Sequence, residues 1–247
     1  MSAPVVSLLG IEFNNVSRET VTRHLLARPA AAPFAYIVTP NADHIDRLRR
    51  IPRLRGVYRR AMLRLLDSRL LFLFAKALHL AKPTVITGAD LTESLLPLLG
   101  GRRVAVVGMR NKDFVALASR YKAVEFIRHD PPMGLLYDHE GFAAAMDFIR
   151  TAQAPFTFLA LGSPVQELLA YAVAARGDAV GVGLCVGAAL EFAAGTARRA
   201  PPWMRNYGLE WLHRLAGDPW RLTGRYLIAN PRVFIALAVA AFERKMR

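Results

Sequence analysis

Residues 156–167 read Phe-Thr-Phe-Leu-Ala-Leu-Gly-Ser-Pro-Val-Gln-Glu, and this stretch decides the fold class. Its first six residues are mostly aromatic or aliphatic, which suits a strand covered on both faces. Gly162 and Ser163 interrupt the run. Pro164 suits the first turn of a helix, where its missing N–H leaves no bond unmade. Helical periodicity then covers residues 164–176. The unit is a buried strand, a short turn and a helix.

Working outward, the same unit recurs. Short apolar runs at 35–38, 104–107, 124–127 and 179–182 read as further strands, and helical patterns occupy 42–66, 90–99, 111–121 and 140–151. The alternation predicts an α/β, Rossmann-like fold with a mostly parallel sheet and helices on both faces. Ligands of such sheets bind beyond the carboxyl ends of the strands. Four strand-end segments therefore matter: 38–44 with Thr39 and Asn41, 87–90 with Asp90, 161–167 with Gly162, Gln166 and Glu167, and the glycine-rich 181–187.

Composition narrows the function classes. The 247 residues are 53% hydrophobic and 21% charged, which excludes a disordered chain, and their formal net charge is +14. The single cysteine, Cys185, excludes a disulfide framework and a Cys-rich zinc site, and a reducing, cytoplasmic setting is expected. No Lys or Arg precedes the short apolar stretch after Met1, so no signal peptide is expected. The longest late apolar run, 233–242, is too short to span a bilayer.

The charge is concentrated. Residues 196–247 hold ten Lys or Arg against three acids, half of the net charge, together with all three tryptophans. Arginine interleaved with Trp and Tyr suits an anionic membrane surface, and equally a nucleic acid. The division expected is an α/β catalytic domain over 1–195 and a basic, aromatic-rich helical appendage over 196–247. A second run, 47–69, holds nine arginines with apolar residues at steps of three or four, the pattern of an arginine-coated helix with Asp67 at its exit.

Candidate chemistry follows from the strand-end residues. Asp67 suits a structural ion pair as well as a base. Asp90 reads as a helix N-cap, with Glu93 closing a capping box. The Gly181–Gly183 pair and the turn at Gly162 are plausible nucleotide contacts, although the spacing is neither a dinucleotide fingerprint nor a P-loop. The six histidines are scattered without zinc-ligand spacing. Cys185 reads as a small buried hydrophobe.

Taken in order, VTPNADHI, LDSRLL, ITGADL, LGSPVQE, VGAALEFAAGTARRAPPWMRNYGLEWLHRL and DPWRLTGRYL resemble the motifs of the WecG/TagA/CpsF family of bacterial glycosyltransferases. The likeness runs from about residue 8 to 227, and AGTARRAPPWMRNYGLEWLHRL is its most specific block. It implies inverting transfer of a hexose or N-acetylhexosamine from a UDP-sugar to a polyprenyl-diphosphate-linked sugar, for exopolysaccharide, teichoic acid or common antigen. It implies a protein attached peripherally to the inner face of the plasma membrane. Asp67 matches the family's proposed general base, Thr39 and Asn41 the pocket-lining TPN segment, and Gln166 the glutamine of GxPxQE. Asp90 and Glu167 join them as substrate-binding candidates. Arg214, Arg221 and Arg225 fall in the appendage thought to reach the membrane and the substrate diphosphate.

The chain departs from the family pattern in three places: Leu66-Asp67-Ser68 replaces a PDG triplet, Glu191 stands where many members have Asp, and no arginine immediately precedes the ITGAD segment. No DxD occurs, so no metal and no cofactor are expected, with guanidinium groups stabilising the departing UDP instead. Exposed apolar surface on the appendage supports self-association into a homo-oligomer. A catalytically silent assembly protein, or a basic nucleic-acid-binding protein, is the rival reading.

Overall fold

A computed structural model describes residues 3–217, Trp220, Thr223 and residues 230–246. Six parallel strands form the central sheet: β3 (Ala35–Val38), β4 (Leu63–Arg64), β5 (Arg103–Gly108), β6 (Glu125–His129), β7 (Phe156–Ala160) and β8 (Val182–Cys185), in the spatial order β4-β3-β8-β7-β5-β6. A hairpin of β1 (Val5–Leu8) and β2 (Ile11–Asn14) precedes it. Leu9 and Gly10 both have positive φ, as the tight turn between two twisted strands requires. The hairpin covers the β4 edge, where the Asn14 side chain accepts from the Arg64 N–H at 2.8 Å. An open edge invites pairing with other chains, and this contact blunts it.

The side-chain alternation of the strands sorts the core into two layers. Tyr36 and Val38 of β3, Leu159 of β7 and Cys185 of β8 face one side, and Ile37, Phe156, Phe158, Val182 and Leu184 face the other. The first layer is closed by α2 (Ala42–Arg50), α3 (Arg55–Arg59), α4 (Arg69–Ala77), α7 (His139–Ala152), α8 (Val165–Arg176) and α12 (Asn230–Lys245). The second is closed by α1 (Arg18–Leu26), α5 (Gly88–Leu95), α6 (Asn111–Arg120) and α9 (Ala189–Ala194). The short α10 (Pro202–Asn206) and α11 (Glu210–Gly217) lie between α9 and α12 in the chain.

Two sequence expectations are corrected here. The helix expected over 42–66 ends at Arg50, because Pro52 cannot continue it; a 3-10 turn, the short α3 and the edge strand β4 follow. Asp67 therefore leaves a strand and enters α4, whose N-cap Ser68 accepts from the Leu71 N–H at 3.2 Å. The last strand lies at 182–185 rather than 179–182. Gly183 is thus a mid-strand residue, with the Phe34 ring 2.7 Å from where its Cβ would stand. Gly181 precedes the strand at the amino end of the sheet, pressed onto the Ala154–Pro155 backbone with φ +90°.

The candidate active site

The carboxyl ends of β4, β3, β8 and β7 adjoin in that order, and each contributes to one crevice. Beyond β4, Leu66 bridges Val85, so that Thr87 and Gly88 arrive beside Asp67. The Asp67 N–H donates to the Pro40 carbonyl at 3.0 Å, and its Oδ2 accepts from the Gly88 N–H at 3.3 Å. Beyond β3, the Thr39 hydroxyl donates to the Cys185 carbonyl at 3.1 Å. A Cβ on Gly88 would stand 3.3 Å from Thr39 Oγ1, so glycine is what lets α5 approach so closely. Thr39, Asp67 and Gly88 thus form one corner of the crevice.

A second row of polar groups runs beneath β3, β7 and β8. Asn41 caps α2, its Oδ1 accepting from the Asp43 and His44 N–H groups at 3.1 and 3.4 Å. His44 Nδ1 lies 2.7 Å from that same oxygen, and its Nε2 lies 3.5 Å from Glu167 Oε1. Glu167 Oε1 also accepts from Gln166 Nε2 at 2.9 Å, while Gln166 Oε1 accepts from the Gly187 N–H at 3.1 Å. Gln166 is 4% and Glu167 1% exposed. Both therefore lie under the crevice floor instead of on its surface. Beside them, Arg47 donates to the Ser163 hydroxyl at 2.7 Å and pairs with Asp43.

Asp90 has a different setting from the one expected. The N-cap of α5 is Thr87, whose hydroxyl accepts from the Asp90 N–H at 2.9 Å. The Asp90 carboxylate meets Arg199 at 2.6 Å, and Arg199 also reaches Glu93 at 2.9 Å and Glu210 at 3.7 Å. Burial alone would raise the Asp90 carboxyl, but the charge and hydrogen bond of Arg199, with Thr87 and Arg69, outweigh it and hold it below the ordinary carboxylate value. Glu93 spends its carboxylate on Arg199 and closes no capping box. The chain after α9 is thus tied to the α5 end of the crevice. Gly208 reinforces the tie, since it packs on the Leu70 backbone, 2.9 Å from where its Cβ would be.

Together these contacts bring Thr39, Asn41, Asp67, Asp90, Gln166 and Glu167 to one end of the sheet. Gly162 follows β7 on the same side, exposed and with φ +75°. Gly181 and Gly183 do not join them, and their missing side chains serve packing. Cys185 is buried, which pushes its thiol well above the usual value. The side chain of Arg214, and Arg221 and Arg225 entirely, lie outside the described residues.

The family model described as "Glycosyl transferase WecG/TagA/CpsF family" matches residues 6–247, nearly the whole chain. The chain belongs to this family. WecG/TagA/CpsF proteins are glycosyltransferases of cell-surface polysaccharide synthesis, an activity that uses a sugar donor and an acceptor. Sequence reasoning missed two residues of this arrangement. Arg199 stands in the most specific block without having drawn attention as the partner of Asp90. His44 stands three residues after Asn41, the spacing at which a side chain can reach back to an N-cap.

Proposed function

We propose that the chain moves a hexose or N-acetylhexosamine from a UDP-sugar to a hydroxyl of a polyprenyl-diphosphate-linked sugar, with inversion. The acceptor oxygen attacks the anomeric carbon as the bond from that carbon to the diphosphate oxygen breaks. The acceptor proton passes to the Asp67 carboxylate and UDP leaves as the anion. The observation that carries this reading is the position of Asp67: between the entrance of α4 and the first turn of α5, with Thr39 alongside. Helix entrances favour anions, which suits a departing diphosphate as well as a carboxylate. Thr39 and Asn41 would contact the transferred sugar, and Gly162 the nucleotide. Arg214, Arg221 and Arg225 would meet the diphosphates.

A lipid-linked acceptor stays in the bilayer, so the enzyme must dock on it. Among the described residues no helix is long and apolar enough to cross a membrane. On α12, Val233 and Leu237 are buried in the first core layer, which leaves Ile235, Val239 and Phe242 as an exposed apolar stripe. Trp203, Tyr207 and Trp220 are exposed nearby in the chain, and Arg232, Arg244 and Lys245 flank the stripe in sequence. Basic groups at an anionic leaflet contribute about 1 kcal/mol each. On this reading it is this one face of 233–242 that enters the membrane surface.

The test is a panel of UDP-sugars with a short-chain polyprenyl-diphosphate-sugar acceptor, with and without EDTA, reading released UDP and product mass. Acceptor-dependent UDP release with one donor, unchanged by EDTA, is expected. A folded protein that neither binds nor turns over any UDP-sugar would favour the assembly-protein reading.

A further inference from the structure

Glu167 is the most buried carboxylate at the crevice, and the proposed transfer step makes no use of it. Its Oε1 is shared by the Gln166 amide and the His44 ring, and no hydrogen-bond partner meets its Oε2 among the described residues. At 1% exposure it does not reach a ligand. A carboxylate is costly to bury, so its position calls for a function at the site it supports.

The hydrogen-bond inventory supplies one. Two backbone N–H groups point at the Asn41 side-chain atom that also faces His44. That atom is therefore the oxygen; His44 Nδ1 lies 2.7 Å from it and accepts from the Asn41 backbone N–H at 3.3 Å, closing the cap of α2. With two backbone donors on Oδ1, Asn41 has its Nδ2 hydrogens left, and no acceptor among the described residues takes them. On the other branch, Glu167 accepts one Gln166 hydrogen, which turns Gln166 Oε1 onto the Gly187 N–H. One buried carboxylate thus orients side chains leading to two strand ends, those of β3 and β8.

We infer that Glu167 is a positioning residue. By facing His44 Nε2 it leaves Nδ1 to accept from the Asn41 N–H, which holds Asn41 in the α2 cap as a hydrogen-bond donor toward the ligand, and through Gln166 it fixes the Gly187 turn. The ligand group facing Asn41 is then an acceptor, of the class of a phosphate or acetamido oxygen, and not a hydroxyl proton. This inference rests on the crevice being the transfer site.

The experiment is a double-mutant cycle on the full chain, E167L and N41A, with wild type, both singles and the double. Expected is a loss of at least tenfold in kcat/KM for E167L, largely recovered in E167Q, which keeps a carbonyl acceptor for Gln166. In the N41A background E167L should cost less than threefold, because the group it positions is gone. Equal losses in both backgrounds would mean general structural damage and overturn the inference. A second readout needs no turnover: in the 15N–1H spectra of the ligand-free protein, E167Q should shift the Asn41 side-chain amide and the Gly187 amide, which Glu167 does not touch. Unchanged resonances would overturn the inference even if E167L failed to fold. Should no UDP-sugar turn over, the transfer reading falls while the spectra still decide the positioning role.

Discussion

Asp90 and Arg199 lie 109 residues apart and meet at 2.6 Å, each side chain only 10% exposed. The pair joins the first turn of α5 to the segment that leads into α10 and α11. Among the described residues Arg199 carries three acidic partners, whereas Asp90 has only Arg69, at 3.8 Å, as a second cation.

That asymmetry sets an order of damage. Arg199→Met strands a buried carboxylate and should cost about 3 kcal/mol. Asp90→Asn leaves Arg199 with Glu93 and Glu210 and should cost roughly 1 kcal/mol, about the worth of one hydrogen bond. Denaturant unfolding of the two variants checks the order; equal losses would show that Asp90 is not stranded by the loss of Arg199.

The same pair makes acid stability testable. The folded Asp90 carboxyl sits below the unfolded reference value of 3.8. Its contribution is therefore complete above that reference and is lost as pH falls through the lower folded value. Thermal melts from pH 6 downward should show wild type losing this increment at the acid end. In Arg199→Met the carboxyl loses its main cation, and the acid-end loss should shrink.

Asp67→Asn keeps an oxygen for the Gly88 N–H but cannot take a proton. Turnover should fall by about 10²–10⁴, while donor affinity and melting temperature stay near wild type. Retained turnover would remove Asp67 from the base role.

Glycines in the two environments should respond differently. Gly162→Ala meets nothing within 4 Å and suffers only its positive φ, about 1–2 kcal/mol. Gly181→Ala carries the same strain and also drives its Cβ into the Ala154–Pro155 backbone, adding about 1–3 kcal/mol. Melting temperatures of the two variants test the contrast.

Replacing Ile235, Val239 and Phe242 together by Gln removes the exposed stripe and leaves Val233 and Leu237 in the core. Sedimentation with anionic vesicles should show weaker binding at unchanged thermal stability. Unchanged binding would show that the attachment runs through other residues.

Much of this was legible in the chain. Local signals place β3, β5 and β7, because buried parallel strands are short apolar runs ended by glycine or a polar residue; the half-exposed edge strand β6 lies at 125–129, shifted from the apolar run at 124–127. The Thr39, Asp67 and Gln166 positions were legible from motif order. What sequence could not give was pairing across distance. Nothing near Asp90 announces that Arg199 will take its carboxylate, and nothing near Gly183 announces the Phe34 ring. The arginine run at 47–69 misled because helical spacing of apolar residues persisted through Pro52 into an edge strand, where Leu63 is buried by the sheet and not by a helix face.

The order β4-β3-β8-β7-β5-β6 sets the last strand in sequence at the middle of the sheet. During synthesis β3 and β7 have no neighbour in common until Val182–Cys185 emerges and pairs with both. The Thr39 hydroxyl finds its acceptor, Cys185, and Gln166 finds Gly187, only at that moment. A nascent or truncated chain ending before β8 would therefore carry Asp67 and Gly88 together but leave Thr39 and Gln166 without their acceptor and donor in β8 and its turn. Insertion of one central strand couples completion of the sheet to completion of the site.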